Sequence, residues 1–259
     1  MPVYRAEGIV LRRVALGEAD RLVTLYTREH GKLYAVARGA RKPTSRLGGR
    51  VEPYTHLRAL LASGRSLDIL TQVEVVEPFG ALRTDLQRMA YAAYAVELVD
   101  KATATREPHA QLFHLLIDTL RGMCNGDPEV AALRFSLRLL ILQGYRPSLD
   151  RCVGCGRSLG PFPRFSTSLG GVLCRRCGDQ DPGAWTVDGL VLAGLKNLLR
   201  GSRTGPGPAM GDPGTRERIR QILIEFAENQ LETHLQAPRV IRRLEGTEKG
   251  NRGRPSEIS

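Results

Sequence analysis

The chain has 259 residues, with 38 Lys and Arg against 27 Asp and Glu, a formal net charge of +11. Its 42% hydrophobic and 25% charged content is that of a globular protein, not a fibrous or disordered one. No run approaches ~18 apolar residues, the opening MPVYRAEGIVLRR lacks a secretory pattern, and five cysteines are too few for a disulfide-stapled fold, so a cytoplasmic protein off the membrane is expected.

The first 80 residues read as five short strands. Tyr4–Leu11 is followed by a turn at Leu16–Asp20. Arg21–Thr27 alternates apolar and polar residues, with Leu22, Leu25 and Tyr26 competing for the inner face. Gly31 opens a turn into Lys32–Ala37, and Thr55–Ala62 and Ser66–Val76 give two more strands around Gly64. Alternating runs joined by glycine turns indicate hairpins, and five strands in so short a span fit a small closed barrel. Between the third and fourth strands lies RGARKPTSRLGGR, with Arg38, Arg41, Lys42, Arg46 and Arg50 and no acid. A basic Gly/Pro/Ser loop can lie along a phosphate backbone and release counterions; it can also be a merely solvated loop. Tyr4, Tyr26, Tyr34 and Tyr54 are the aromatics available for base stacking, though Tyr26 and Tyr34 occupy apolar strand positions that favour core packing.

After Pro78 the apolar spacing becomes helical. Helices are expected over Arg83–Lys101, Gln111–Met123 and from Asp127-Pro128 to Leu142, forming a bundle over 81–150. A cysteine-bearing module, 151–180, comes next. Helices at Val187–Leu199 and Arg216–Leu235 would complete the bundle within 181–245, with a flexible Gly/Pro loop over 201–214 and a disordered tail over 246–259. The charge is uneven. Residues 1–80 carry 13 basic and 8 acidic side chains, 81–150 carry 8 of each, and 151–180 carry 5 and 1.

Cys152, Cys155, Cys174 and Cys177 spell C-x2-C-x18-C-x2-C, each pair followed by glycine. Two such knuckles supply four soft ligands in tetrahedral arrangement, which points to structural zinc with no open position. Arg175 and Arg176, inside the second knuckle, either touch nucleic acid or offset the thiolate charge. The P-loop, nucleophile-elbow and H-E-x-x-H patterns are absent and the five histidines are scattered, so a non-catalytic protein is expected.

YRAEGIVLRR, GEADRLVTLYTREHGKLYAVARGARKPTSRLGG, LRTDLQRMAYAAYAVELVD and LRFSLRLLILQGYRPSLDRCVGCG follow one another as in a known family. The sequence resembles the RecO family of bacterial DNA repair and recombination mediators. The resemblance implies an α+β multidomain protein: an N-terminal OB-fold, a helical bundle and a zinc module. It implies binding of single- and double-stranded DNA, annealing of complementary strands, and work with RecR to load RecA onto strands coated by single-strand-binding protein (SSB), in a nucleoid-associated setting. The residues matching the family's DNA-binding loop and the strand before it are Lys32, Arg38, Arg41, Lys42, Arg46 and Arg50. Some members lack the cysteines; this sequence keeps all four. A zinc-stabilised RNA-binding or translation-associated module, a scaffold working through the neutral bundle, and a cryptic nuclease are the alternatives.

Overall fold

A computed structural model describes residues 2–200 and 208–251, with side chains placed for 2–200 and 209–244. Five strands, β1 (Val3–Leu16), β2 (Asp20–Thr27), β3 (Gly31–Ala37), β4 (His56–Ala62) and β5 (Asp68–Glu77), close a barrel in the order β1-β2-β3-β5-β4. Neighbours are antiparallel except β3 and β5, whose parallel pairing closes the ring. This is the OB-type barrel anticipated from the strand count.

Alternation decides what faces inward. Ala6 and Val10 of β1, Val23 and Leu25 of β2, Leu33, Ala35 and Ala37 of β3, Leu57, Ala59 and Leu61 of β4, and Leu70 and Val73 of β5 form one buried cluster. The competition on β2 is settled by parity. Leu25 points inward beside Val23, Leu22 is half-buried, and Tyr26 is buried on the opposite face, where its hydroxyl donates to the His109 carbonyl. Burial pushes that hydroxyl up to about 12. A bulge between Val10 and Arg12 bends β1, which is long enough to pair with both β2 and β4. Gly31 turns β2 into β3 at φ 63°, and a Cβ there would stand 2.2 Å from the Glu107 carbonyl oxygen, so only glycine fits.

The helices are α1 (Ala81–Thr84), α2 (Leu86–Ala102), α3 (Ala110–Asn125), α4 (Pro128–Leu142), α5 (Arg175–Gly178), α6 (Gly189–Arg200), α7 (Pro213–Gln230) and α8 (Ala237–Asn251). Three further strands, β6 (Arg164–Ser166), β7 (Gly171–Leu173) and β8 (Trp185–Thr186), form a small sheet in the order β7-β6-β8. The chain divides into two compact units: 1–128 with 236–259, and 129–235.

The helices of 81–150 and of 181–245 are shared between these units. α4 belongs to the second unit, where Glu129 at its start pairs with Arg216 and Arg220 of α7. In turn α8, not anticipated as a helix, returns to the first unit and packs on α2. Helical spacing identifies a helix but not the partner its apolar face will choose. The tail expected to lack structure from Gly246 is helical as far as Asn251, since a helix already nucleated needs no apolar stripe to continue; 252–259 lie outside the described residues. Of the supposed flexible loop, 201–207 lie outside the described residues, while Ala209 and Met210 are buried and Asp212 caps α7 by accepting from the Thr215 N–H at 2.7 Å.

The return of α8 depends on one carboxylate. The two oxygens of Glu97, on α2, accept from the backbone N–H groups of Gln236 and Ala237, each at 2.8 Å. They satisfy two orphan donors and set a negative charge against the helix N-terminus. Glu97→Ala is expected to cost about 1–2 kcal/mol and to speed amide exchange chiefly in α8; unchanged exchange there would remove this role.

Candidate nucleic-acid interface and metal centre

The basic loop after β3 is anchored at several points. The Gly39 N–H donates to the Asp20 carboxylate at 2.8 Å, the Arg41 N–H donates to the Ala19 carbonyl at 2.9 Å, and the Arg41 guanidinium donates to the Gly17 carbonyl. Ser45 Oγ accepts from the Gly48 N–H at 3.2 Å. Ala40 and Val51 join the barrel core and Leu47 packs against it. A Cβ on Gly48 would lie 2.3 Å from the Ala40 carbonyl oxygen. The loop is therefore held in place by its apolar residues while its cations stay in water: Arg38, Arg41, Lys42, Arg46 and Arg50 are all exposed.

The structure separates these cations. Arg46 and Arg50 line a groove of about 1020 Å³ that crosses β1, β4 and β5, together with Arg5, Arg28 and Arg58. Arg38, Arg41 and Lys42 do not line it, and Arg41 is bound to the β1–β2 turn instead. Lys32 belongs with neither group. It is buried, and its ammonium forms an ion pair with Asp100 at 3.1 Å, so it ties the barrel to α2 rather than facing a ligand.

Arg5, Arg28 and Arg58 were not singled out by sequence, because they are scattered along it. Strand pairing gathers them: Arg5 stands opposite Leu60 and Glu7 opposite Arg58 on the outward face. Outward parity was the signal available for Arg5 and Arg58, while Arg28 lies in the turn after β2. Three acids, Glu7, Glu29 and Glu74, share the groove. Arg28 pairs with Glu29 at 2.9 Å and Glu7 at 3.6 Å, and Arg58 reaches Glu7 at 3.9 Å and Glu74 at 4.0 Å. Partial burial raises the Glu29 pKa, but hydrogen bonds from backbone N–H groups and the Arg28 guanidinium outweigh it and hold the carboxylate below its usual range. Exposed pairs of this kind contribute roughly 0–1 kcal/mol, so a phosphate can replace the glutamates. Arg50 donates to the Val73 carbonyl at 3.0 Å. Among the described residues, the Arg5 and Arg46 guanidiniums have no hydrogen-bond or ion-pair partner, which leaves them uncommitted.

None of the four barrel tyrosines lines the groove. Tyr26 and Tyr54 are buried, Tyr34 is half-buried, and the Tyr4 hydroxyl donates to the buried Asp68 carboxylate, which also pairs with Arg106. The groove thus offers cations, Thr71 and Gln72 to a polyanion, not a tyrosine stacking surface.

The second site lies in the other unit. The Sγ atoms of Cys152, Cys155, Cys174 and Cys177 all lie within 4.8 Å of one another, and Cys155 and Cys174 are 3.8 Å apart. Zinc–sulfur bonds of about 2.3 Å in a tetrahedron require sulfurs about 3.8 Å apart, so these residues fit a four-coordinate metal ion. Both knuckles close alike: the Gly156 N–H donates to the Cys152 carbonyl and the Gly178 N–H to the Cys174 carbonyl, each at 2.8 Å. The two glycines serve different ends. Gly156 sits at φ 73°, which frees the turn, whereas a Cβ on Gly178 would press 2.8 Å from Arg164 Cδ. Burial raises the Cys152 thiol pKa, but backbone hydrogen bonds from Cys174, Cys155 and Gly154 outweigh it and bring it down to about 6. Hydrogen bonds with the other three cysteines push Cys177 up to about 12. Protons must leave as a metal enters, so acid opposes binding.

Two family models account for most of the chain. "Recombination protein O N terminal" matches residues 1–79 and "Recombination protein O C terminal" matches residues 83–239. The chain belongs to the RecO family. The join between the RecO matches falls where β5 gives way to α1, and the C-terminal match runs through both units. Proteins named DNA repair protein RecO are similar over most of their length. That of Pelotomaculum thermopropionicum is 42% identical over 237 residues, covering 92% of this chain and 93% of the relative. That of Symbiobacterium thermophilum is 46% identical over 206 residues, covering 78% and 81%. That of Bacillus pumilus is 34% identical over 248 residues, covering 95% and 96%. Among the described residues, no helix is long and apolar enough to cross a membrane.

Proposed function

We propose that this protein is a recombination mediator that binds single- and double-stranded DNA along the barrel groove and anneals complementary strands. With RecR it helps load RecA onto strands coated by SSB, in the cytoplasm at the nucleoid. The observation that carries this reading is the convergence of Arg5, Arg28, Arg46, Arg50 and Arg58 on one groove in a RecO-family barrel. Annealing brings two polyanions together; guanidiniums lower their repulsion and no covalent step is required. The four cysteines hold a structural zinc ion, which when bound supplies a crosslink between the two knuckles and no chemistry on DNA. Lys32 is left out of the DNA path because of its burial on Asp100.

The test is the salt dependence of strand binding. Affinity for a labelled single strand should fall steeply with salt, and Arg5→Glu with Arg46→Glu should weaken binding and flatten the slope by about 0.7 for each lost contact. Reversal of Arg38 and Lys42, off the groove, should weaken it less. A wild-type affinity that barely changes between low and moderate salt would defeat the mechanism. Preference for RNA in competition would favour the translation-associated alternative.

A further inference from the structure

Phe162 stands in an unfavourable conformation that its own fold does not explain. Its φ is 58°, in the left-handed region. That region costs a residue with a Cβ about 1–2 kcal/mol, and the proline that follows, Pro163, disfavours it further. Burial of the ring would be the ordinary compensation, yet Phe162 is 70% exposed, the most exposed large apolar residue described. Strain kept without burial points to a partner.

The loop that carries the ring spans the two knuckles. At one end the Arg157 carbonyl accepts from the Cys152 N–H at 3.0 Å, closing the first knuckle. At the other the Arg164 guanidinium donates to the Gly178 carbonyl at 3.0 Å, in the second. Phe162 therefore lies between two arginine-bearing turns. Arg164 is spent on Gly178 and on Asp179, 3.3 Å away, and Arg151 bends back toward the Gly156 carbonyl. Arg157, Arg175 and Arg176 are exposed and, among the described residues, their side chains make no hydrogen bond or ion pair. Four thiolates around a divalent ion keep about two negative charges, fewer than the positive charges here, so balancing the metal does not account for them.

We propose that the metal module is a second strand-binding patch, in which the Phe162 ring stacks on an unpaired base while Arg157, Arg175 and Arg176 hold the flanking phosphates. It rests on the DNA-binding reading only for the class of ligand. A ring standing out from the surface offers the open face that base stacking uses, whereas an apolar peptide anchor needs a concavity. The patch would supply the stacking surface that the barrel groove lacks.

The test uses the full-length, metal-loaded protein and fluorescein-labelled poly-dT, read by anisotropy. Phe162→Ala is expected to weaken binding by about fivefold or more, and Phe162→Trp to preserve it. Phe162→Gly should bind as weakly as the alanine variant and melt no lower than wild type, because glycine is at ease at this φ. In the Arg5→Glu, Arg46→Glu background, the residual binding should vanish with Phe162→Ala. If Phe162→Ala binds poly-dT like wild type while the Arg5/Arg46 variant is impaired, the patch is overturned and the groove reading stands. Loss of binding only to an acidic peptide, with poly-dT unaffected, would overturn it in favour of a protein partner. Failure of wild type to bind poly-dT would defeat both readings.

Discussion

Removing the metal from the four-cysteine cluster is expected to loosen the second unit while leaving the barrel folded. The module's own strands supply few apolar contacts. Its three strands have three, three and two residues, and Phe165, Val172 and Leu173 are the buried large apolar side chains they supply. Structural zinc contributes an apparent 10–16 kcal/mol in small peptides, roughly as much as a whole domain's stability, so a crosslink of that kind would dominate here. The disturbance should reach α7, because Phe165 meets Phe226 edge-on at 5.7 Å and Glu225 accepts from Thr167 at 2.7 Å and from the Trp185 indole at 2.9 Å. Trp185 is the chain's single tryptophan, so its emission reports on this unit alone. Chelation, or Cys174→Ser, should shift that emission and lower the urea midpoint it reports, while the barrel keeps its far-ultraviolet signature. Metal analysis should find one ion per chain. Protein that carries the ion as purified yet unfolds at the same urea concentration after chelation would refute the structural role.

Glu129→Ala is the second large effect to expect. Glu129 is buried where α4 begins, and its two oxygens meet Arg220 at 2.7 Å and Arg216 at 3.4 Å. Arg220 is itself buried, so losing the carboxylate removes the opposite charge that faces it there. Breaking one side of a buried pair costs about 3–5 kcal/mol, whereas replacing both sides with apolar groups can be nearly neutral. Glu129→Ala should therefore unfold the second unit at much lower urea, read by Trp185, and Glu129→Leu with Arg220→Leu should recover most of the loss. A single variant as stable as wild type would mean that water already reaches the pair.

These effects also mark what could be read in advance. Leu33, Ala35 and Ala37, and Leu57, Ala59 and Leu61, alternate so regularly that parity alone assigns them to the barrel interior. The cysteine spacing likewise contains its own geometry, since each knuckle is a local turn. Lys32 was not readable in this way: its burial depends on Asp100, brought to it by tertiary folding. Arg5 and Arg58 become a set only once β1 and β4 pair, and Arg28 joins them from the β2–β3 turn. α4 is recognisable as a helix and α8 is not, but the carboxylates that assign them to a unit, Glu129 and Glu97, act on groups 87 to 140 residues away. Local chemistry is visible in sequence, while side-chain commitments made across the fold are not.

The placement of α8 has a further consequence, for the order of events during synthesis. The second unit is an excursion between α3 and α8, so α2 cannot receive its last partner until residues 129–235 have been made. At about 5–20 residues per second, that delay is on the order of ten seconds. During it the first unit exposes the face of α2 that α8 will cover. A chain truncated before Gln236 should therefore leave that face of α2 open to solvent.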